Sequence, residues 1–201
     1  MTVAGSRGRR GFRATASAAL TRAGTRLRPG TDLIVPVLDA EPVVGSWLGA
    51  PKVDFGGVPL HVTVMYPFLP ARSIGQPETR CLAEITAGIA PFDFALTHLD
   101  AFPGVHYLAP EPADGFIAIT EAIRRRWPSC QPYGGAYDSV VPHMTVAFGD
   151  AVPGDPAELE RLLPIVTRAS ELWLLRQAPG GMRTWRRFPF GGYRPPIASR
   201  G

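Results

Sequence analysis

Two stretches decide the reading of this chain: His61–Phe68, HVTVMYPF, and Pro142–Phe148, PHMTVAF. Each contains a tetrad of the same form, His61-Val62-Thr63-Val64 and His143-Met144-Thr145-Val146, set 82 residues apart. Both alternate as β-strands do. Successive side chains on a strand point to opposite faces, so His61 and Thr63 share one face while Val62 and Val64 turn into the core. His143 and Thr145 share a face in the same way, with Met144, Val146 and Phe148 packed behind. Each tetrad therefore presents an imidazole and a hydroxyl from a rigid support. Two such strands facing a common groove bring two imidazoles and two hydroxyls to one place.

That set suits phosphodiester chemistry. One imidazole takes a proton from water or a ribose hydroxyl while the other protonates the leaving oxygen. An imidazole pKa near ~6.5 permits both roles close to neutrality. The threonine hydroxyls donate to non-bridging phosphate oxygens and stabilise their charge. A lone strand histidine is more often structural, but two matched tetrads in matched contexts favour the catalytic reading. A metal site built on the histidine pair is the competing chemistry. No further His, Asp or Glu at ligand spacing completes it, so neither metal nor cofactor is expected.

Working outward, Leu33–Leu38 reads as a buried strand, with Pro36 arguing for an edge position. Pro42 opens a short helix carrying Val43, Val44, Trp47 and Leu48. After the first tetrad strand (about 60–68), a helix is expected over Glu78–Ala90 from Cys81, Leu82, Ile85 and Ile89. Strands follow at Phe92–Leu99 and Val105–Leu108. Phe116, Ile119, Ile123 and Trp127 mark a second helix, with Asp114 as its expected cap. The second tetrad strand spans Val141–Phe148. A third helix starts at Asp155, Pro156 and Glu158 and continues through Leu159, Leu162, Leu163 and Val166. Glu171–Gln177 and Met182–Phe188, joined by Pro-Gly-Gly, read as a closing hairpin. The expected class is α+β: two pseudo-symmetric lobes with small antiparallel sheets and flanking helices around a central groove.

Composition bounds the rest. The chain has 201 residues, 45% hydrophobic and 19% charged, which fits a globular protein. No apolar run approaches the ~20 residues of a membrane span, so no membrane partner is expected, and none of the features requires a protein partner. The net charge of +4 misleads, because seven Arg and no acidic residue fall within positions 1–30. The remainder carries 14 basic against 17 acidic residues, a net of −3. Residues 1–30 are expected to be a basic, disordered leader, 31–195 the two-lobed domain, and 196–201 a tail. Two cysteines outside any C-x-x-C motif suit free thiols and a cytoplasmic location. The heavy preference for Arg over Lys, with abundant Gly and Pro, suits a GC-rich bacterial genome.

The two stretches resemble the signature motifs of the two-histidine (2H) phosphoesterase superfamily, and the 2′-5′ RNA ligase family in particular, over most of the body from Leu33 to about Phe190. The resemblance implies metal-independent hydrolysis of RNA or nucleotide 2′,3′-cyclic phosphates, or chemistry at 2′-5′ phosphodiester bonds. An RNA end or small nucleotide phosphodiester is then the substrate. By motif position His61 and His143 match the catalytic histidines, and Thr63 and Thr145 the phosphate-contacting hydroxyls. Two alternatives use the same groove: a non-catalytic RNA- or nucleotide-binding protein, and a cyclic-phosphate hydrolase of small-molecule metabolism. Intact His and Thr at all four positions favour the enzyme, and the acidic body favours a small or terminal phosphate over extended RNA.

Strict alternation predicts that Met65 and Ala147 line the groove, while Tyr66 and Phe68 pack in the core. Tyr133 and Tyr137, in the loop before the second tetrad, are candidates for substrate contact by stacking. Arg124, Arg125 and Arg126 read as a solvated helix surface. Arg176, Arg183, Arg186 and Arg187 lie on the closing hairpin, from which one or two can reach the groove. His98 and His106 lack a Thr two residues on and read as structural or exposed.

Overall fold

The computed structural model describes residues 30–49, 57–136, 140–152 and 154–191. The basic leader up to residue 29, the 196–201 tail and Tyr137 lie outside these residues. Strand β1 (Thr31–Pro36) leads to helix α1 (Glu41–Trp47), then β2 (His61–Met65) and α2 (Gln76–Ala87). Next come β3 (Phe92–Phe102), β4 (Val105–Glu111), α3 (Asp114–Arg126) and β5 (Met144–Phe148). The short α4 (Pro156–Glu160) precedes β6 (Ile165–Ala169), β7 (Glu171–Ala178) and β8 (Gly181–Pro189).

All strand pairs are antiparallel, in the order β6-β3-β4-β5-β2-β1-β7-β8. The fold is α+β, as expected. The two half-sheets are nevertheless joined into one, through Val62 of β2 paired with Met144 of β5. Nor do the halves follow chain order, because the closing hairpin returns to flank β1. β1 is consequently not an edge strand: Pro36 sits at its last position, opposite His61, where its missing N–H costs least.

One face of the sheet is covered by helices. Val44 and Trp47 of α1, Leu82 of α2, Phe116, Ile119 and Ile123 of α3, and Leu159 of α4 pack with Leu33, Val35, Val62, Val64, Leu108, Met144, Val146, Leu172 and Leu174. Ile34 and Trp173 lie on the opposite face, in a smaller cluster with Val58 and Leu175. Helix α3 shows why its sequence forms this element: Phe116, Ile119, Thr120 and Ile123 repeat at helical spacing and are all buried. It starts one residue earlier than the expected cap allows, with Ala113 at the N-cap and Asp114 in the first turn.

Residues Leu162–Val166 depart from the expected helix. α4 ends at Glu160, Pro164 interrupts continuation, and Ile165–Ala169 instead pairs with β3 as an edge strand. Val166 is 72% exposed, on the outward side of that strand. Cys81 and Cys130 are free, and Arg124, Arg125 and Arg126 are exposed. Among the described residues no helix is long and apolar enough to cross a membrane.

Gly115 of α3 lies against Phe92, and a Cβ built there would fall 2.5 Å from the ring carbons. Phe92 cannot easily yield, being edge-on to Phe116 at 5.1 Å and stacked on Phe190 at 6.2 Å. Gly115→Ala is therefore expected to destabilise the protein by about 1–3 kcal/mol through overpacking, despite alanine's better helix propensity. Urea unfolding reads this directly; unchanged or increased stability would show that the ring gives way.

Candidate active site

The tetrads occupy the two strands that join the half-sheets. From the Val62–Met144 pair, one step in each direction sets Thr63 level with His143 and His61 level with Thr145. The two histidines are then diagonal neighbours across β2 and β5, about 7–8 Å apart at this spacing. Their side chains share the face bearing Ile34, because Ile34 is the register partner of Thr63. His143 itself lies one residue before β5 begins.

Local geometry repeats between the two motifs. Residues 61–65 and 143–147 show the same sequence of half-buried and buried positions. The reason is a matched irregularity. On β2 the register passes from Thr63 to Met65 while β1 advances one residue, so Val64 is the extra residue of a bulge. On β5 it passes from Thr145 to Ala147 while β4 advances one residue, so Val146 is extra in the same way.

These bulges correct the expected lining of the groove. Met65 is fully buried in the helix-covered core, and Ala147 is 3% exposed. An extra residue shifts the alternation by one, which turns Val64 and Met65 inward together and brings Tyr66 to the histidine side. Tyr66 is half-buried beside Asp32 of β1: burial raises its hydroxyl pKa, and the Asp32 charge adds to that rise. Phe68 does pack in the core, edge-on to Trp127 at 5.0 Å.

Each imidazole is anchored identically. Nδ1 of His61 lies 2.7 Å from the Pro59 carbonyl, and Nδ1 of His143 lies 2.8 Å from the Val141 carbonyl. A carbonyl only accepts, so Nδ1 carries the hydrogen in both rings and Nε2 is left to exchange protons. Burial lowers the pKa of both imidazoles below the usual 6.5. For His61 the Pro59 carbonyl opposes this, while the charge of nearby His143 lowers it further.

His143 also stands among aromatic rings. Phe102 meets it edge-on at 5.2 Å, Tyr107 lies at 5.2 Å, and Tyr133 is nearly parallel at 6.3 Å. Tyr107, the partner of Thr145 across β4–β5, is itself held by donating to Asp100 Oδ2 at 2.9 Å. Tyr133 adopts a left-handed backbone, φ 53°, and its N–H donates to the Tyr66 carbonyl at 2.5 Å. A non-glycine residue in this region costs of order 1–3 kcal/mol, and such strain collects at functional sites. The structure thus places Tyr133 beside His143.

Sequence reasoning missed Phe102, Tyr107 and Asp32. The first two lie on the two strands of the β3–β4 hairpin, and their relation to His143 depends on strand order. Asp32 had a visible signal, a carboxylate opening an apolar strand. It shares the face of Ile34, its Oδ1 is buried with no hydrogen-bond partner among the described residues, and burial pushes its pKa up to about 7. His98 is exposed near Glu111, and His106 is half-buried, opposite Ala147 in the β4–β5 register. Among the described residues no group of three or more His, Cys, Asp or Glu is placed to hold a metal.

Residues 44–181 match the family model described as the 2′-5′ RNA ligase superfamily. The chain belongs to this superfamily. It is a 2H phosphoesterase-type protein, and its fold is shared by solved relatives. TT0787 of Thermus thermophilus superposes with a TM-score of 0.57 at 17% identity, covering 82% of this chain and 99% of that one. E. coli LigT in complex with NADP+ gives 0.51 at 16% identity, covering 81% and 98%. LigT in complex with 3′-AMP gives 0.50 at 18% identity, with the same coverage. No protein of curated function matches the chain.

Proposed function

We propose that this 2H phosphoesterase hydrolyses nucleotide or RNA 2′,3′-cyclic phosphates, or 2′-5′ phosphodiester bonds, with His61 and His143 as its acid–base pair. The observation that carries this is the identical anchoring of two adjacent imidazoles, each with Nε2 left to act. The nucleotide complexes of LigT, with 3′-AMP and NADP+, support a nucleotide substrate.

In the hydrolytic direction one Nε2 accepts a proton from water as its oxygen attacks phosphorus. The bond from phosphorus to a ribose oxygen breaks, and the Nε2–H of the other histidine protonates that leaving oxygen. The two roles exchange in the reverse reaction. Thr63 and Thr145 donate to the non-bridging oxygens as negative charge builds on them. The phosphate's own charge favours the protonated form of whichever imidazole acts as acid, offsetting its burial. The donor set invokes no metal.

Thr63→Val and Thr145→Val keep shape and remove the hydroxyl. Each is expected to lower kcat by ~10²–10³ on a 2′,3′-cyclic nucleotide, the loss typical of one oxyanion donor, with a smaller change in KM. Steady-state kinetics on purified protein test this; a pure KM effect would assign the hydroxyls to ground-state binding. Turnover in EDTA is expected to equal turnover without it, and abolition by chelator would overturn the metal-free mechanism.

A further inference from the structure

Beside the histidine pair, on the β1–β7–β8 flank, an open cleft of about 440 Å³ is walled by Gly57, Val58, Pro59, Trp173, Arg183 and Thr184, with Glu41 also at its lining. It shares a wall with the candidate active site, because the Pro59 carbonyl anchors His61. Thr63, Ile34 and Trp173 are successive register partners across β2, β1 and β7. Two strand spacings, ~10 Å, therefore separate Trp173 from the phosphate-contacting hydroxyl, and Arg183 reaches the same cleft from the next strand, β8.

The cleft carries one guanidinium, Arg183, and one carboxylate, Glu41. Arg187 lies 4.1 Å over the Trp173 ring, so that face already holds a cation and is not a platform for a base. The Trp173 Nε1–H is buried with no acceptor among the described residues. Arg183 crosses the backbone at Gly57: a Cβ there would fall 2.5 Å from Arg183 Nη1 and 2.8 Å from the Met182 carbonyl. Gly57, at φ +92°, thus lets the hairpin close over this point. Of the acidic groups, Glu41 is engaged at the cleft, its Oε1 accepting from the Leu60 N–H at 3.2 Å.

The geometry points to a second-phosphate subsite, in which Arg183 at the cleft wall binds a further phosphate on a substrate whose reacting phosphate lies between His61 and His143. This rests on the proposed function and narrows it, favouring a nucleoside that carries phosphate at both ends, or an oligonucleotide terminus, over a bare cyclic mononucleotide. Charge-assisted contacts from guanidinium to phosphate supply the discrimination.

Titration calorimetry on the full chain with 3′-AMP and adenosine 3′,5′-bisphosphate tests this. The bisphosphate is expected to bind ~10-fold or more tightly than 3′-AMP, one such contact being worth about 1.4 kcal/mol at that ratio. In Arg183→Ala that advantage should vanish while 3′-AMP affinity holds within ~2-fold, with an unchanged thermal midpoint reporting an intact fold. Binding of 3′-AMP with no gain from the second phosphate, or equal weakening of both ligands by Arg183→Ala, would overturn the subsite and leave the proposed function standing. Failure of both nucleotides to bind would overturn both.

Discussion

His61→Ala and His143→Ala are each expected to lower kcat/KM on a 2′,3′-cyclic nucleotide by ~10²–10⁴, the contribution of one positioned acid–base group. The double variant should lose little more than either single one, because a pair that hands protons across one phosphate acts as a unit. The effect is large because each ring is preset. The carbonyls of Pro59 and Val141 fix both tautomers, and neighbouring strands fix both positions. Both residues are half-buried rather than core, so truncation removes the proton-transfer group without opening a large cavity. Single- and double-variant kinetics, with circular dichroism as a control for folding, measure this. Near-wild-type turnover in either variant would remove the two-histidine mechanism.

The second large effect is on stability. Asp32 has a folded pKa of about 7 against 3.8 as a free side chain, a result of burial. Between these values the folded state holds a proton that the unfolded state has lost, so the contribution of Asp32 to stability falls as pH rises from about 4 to 7 and then levels off. A rise from 3.8 to about 7 corresponds to about 4 kcal/mol at most. Asp32→Asn, which resembles the protonated acid, is expected to be about 2–4 kcal/mol more stable than wild type at pH 8 and nearly equal to it at pH 4. The histidines act in the opposite sense. Their lowered pKa values mean that the unfolded chain binds more protons below 6.5, so their contribution is lost as pH falls. Stability of the Asn variant should therefore rise with pH through this range, where the wild type shows opposing trends. Chemical denaturation across pH 4–8 distinguishes them, and superimposable curves would show that Asp32 is solvated in the fold.

The site was legible where chemistry and period coincide. The His and Thr residues at positions i and i+2 declare both their shared face and their role, and the apolar residues between them declare the core. Legibility failed where parity failed. A bulge leaves no mark in the residue types, since Val64 and Val146 suit a regular strand equally well, yet it exchanges Met65 for Tyr66 at the groove. Strand order was hidden for a related reason: the sequence shows that β7–β8 is a hairpin but not that it flanks β1. The cleft containing Arg183 and Trp173 could not be assembled without that placement. At Ile165–Ala169 the leucines before Pro164 prolonged a helical pattern that the proline ends. The pseudo-repeat, by contrast, runs deeper than the motif spacing indicated, extending to the bulges and to the Nδ1 anchors.

The central claim is that two imidazoles share one proton-transfer cycle, and the pH dependence of kcat/KM on a 2′,3′-cyclic nucleotide in EDTA tests it most directly. A bell-shaped profile is predicted, with its maximum on the acid side of 6.5, because burial lowers both histidines in the free protein. A profile with one limb, or none, would contradict the account.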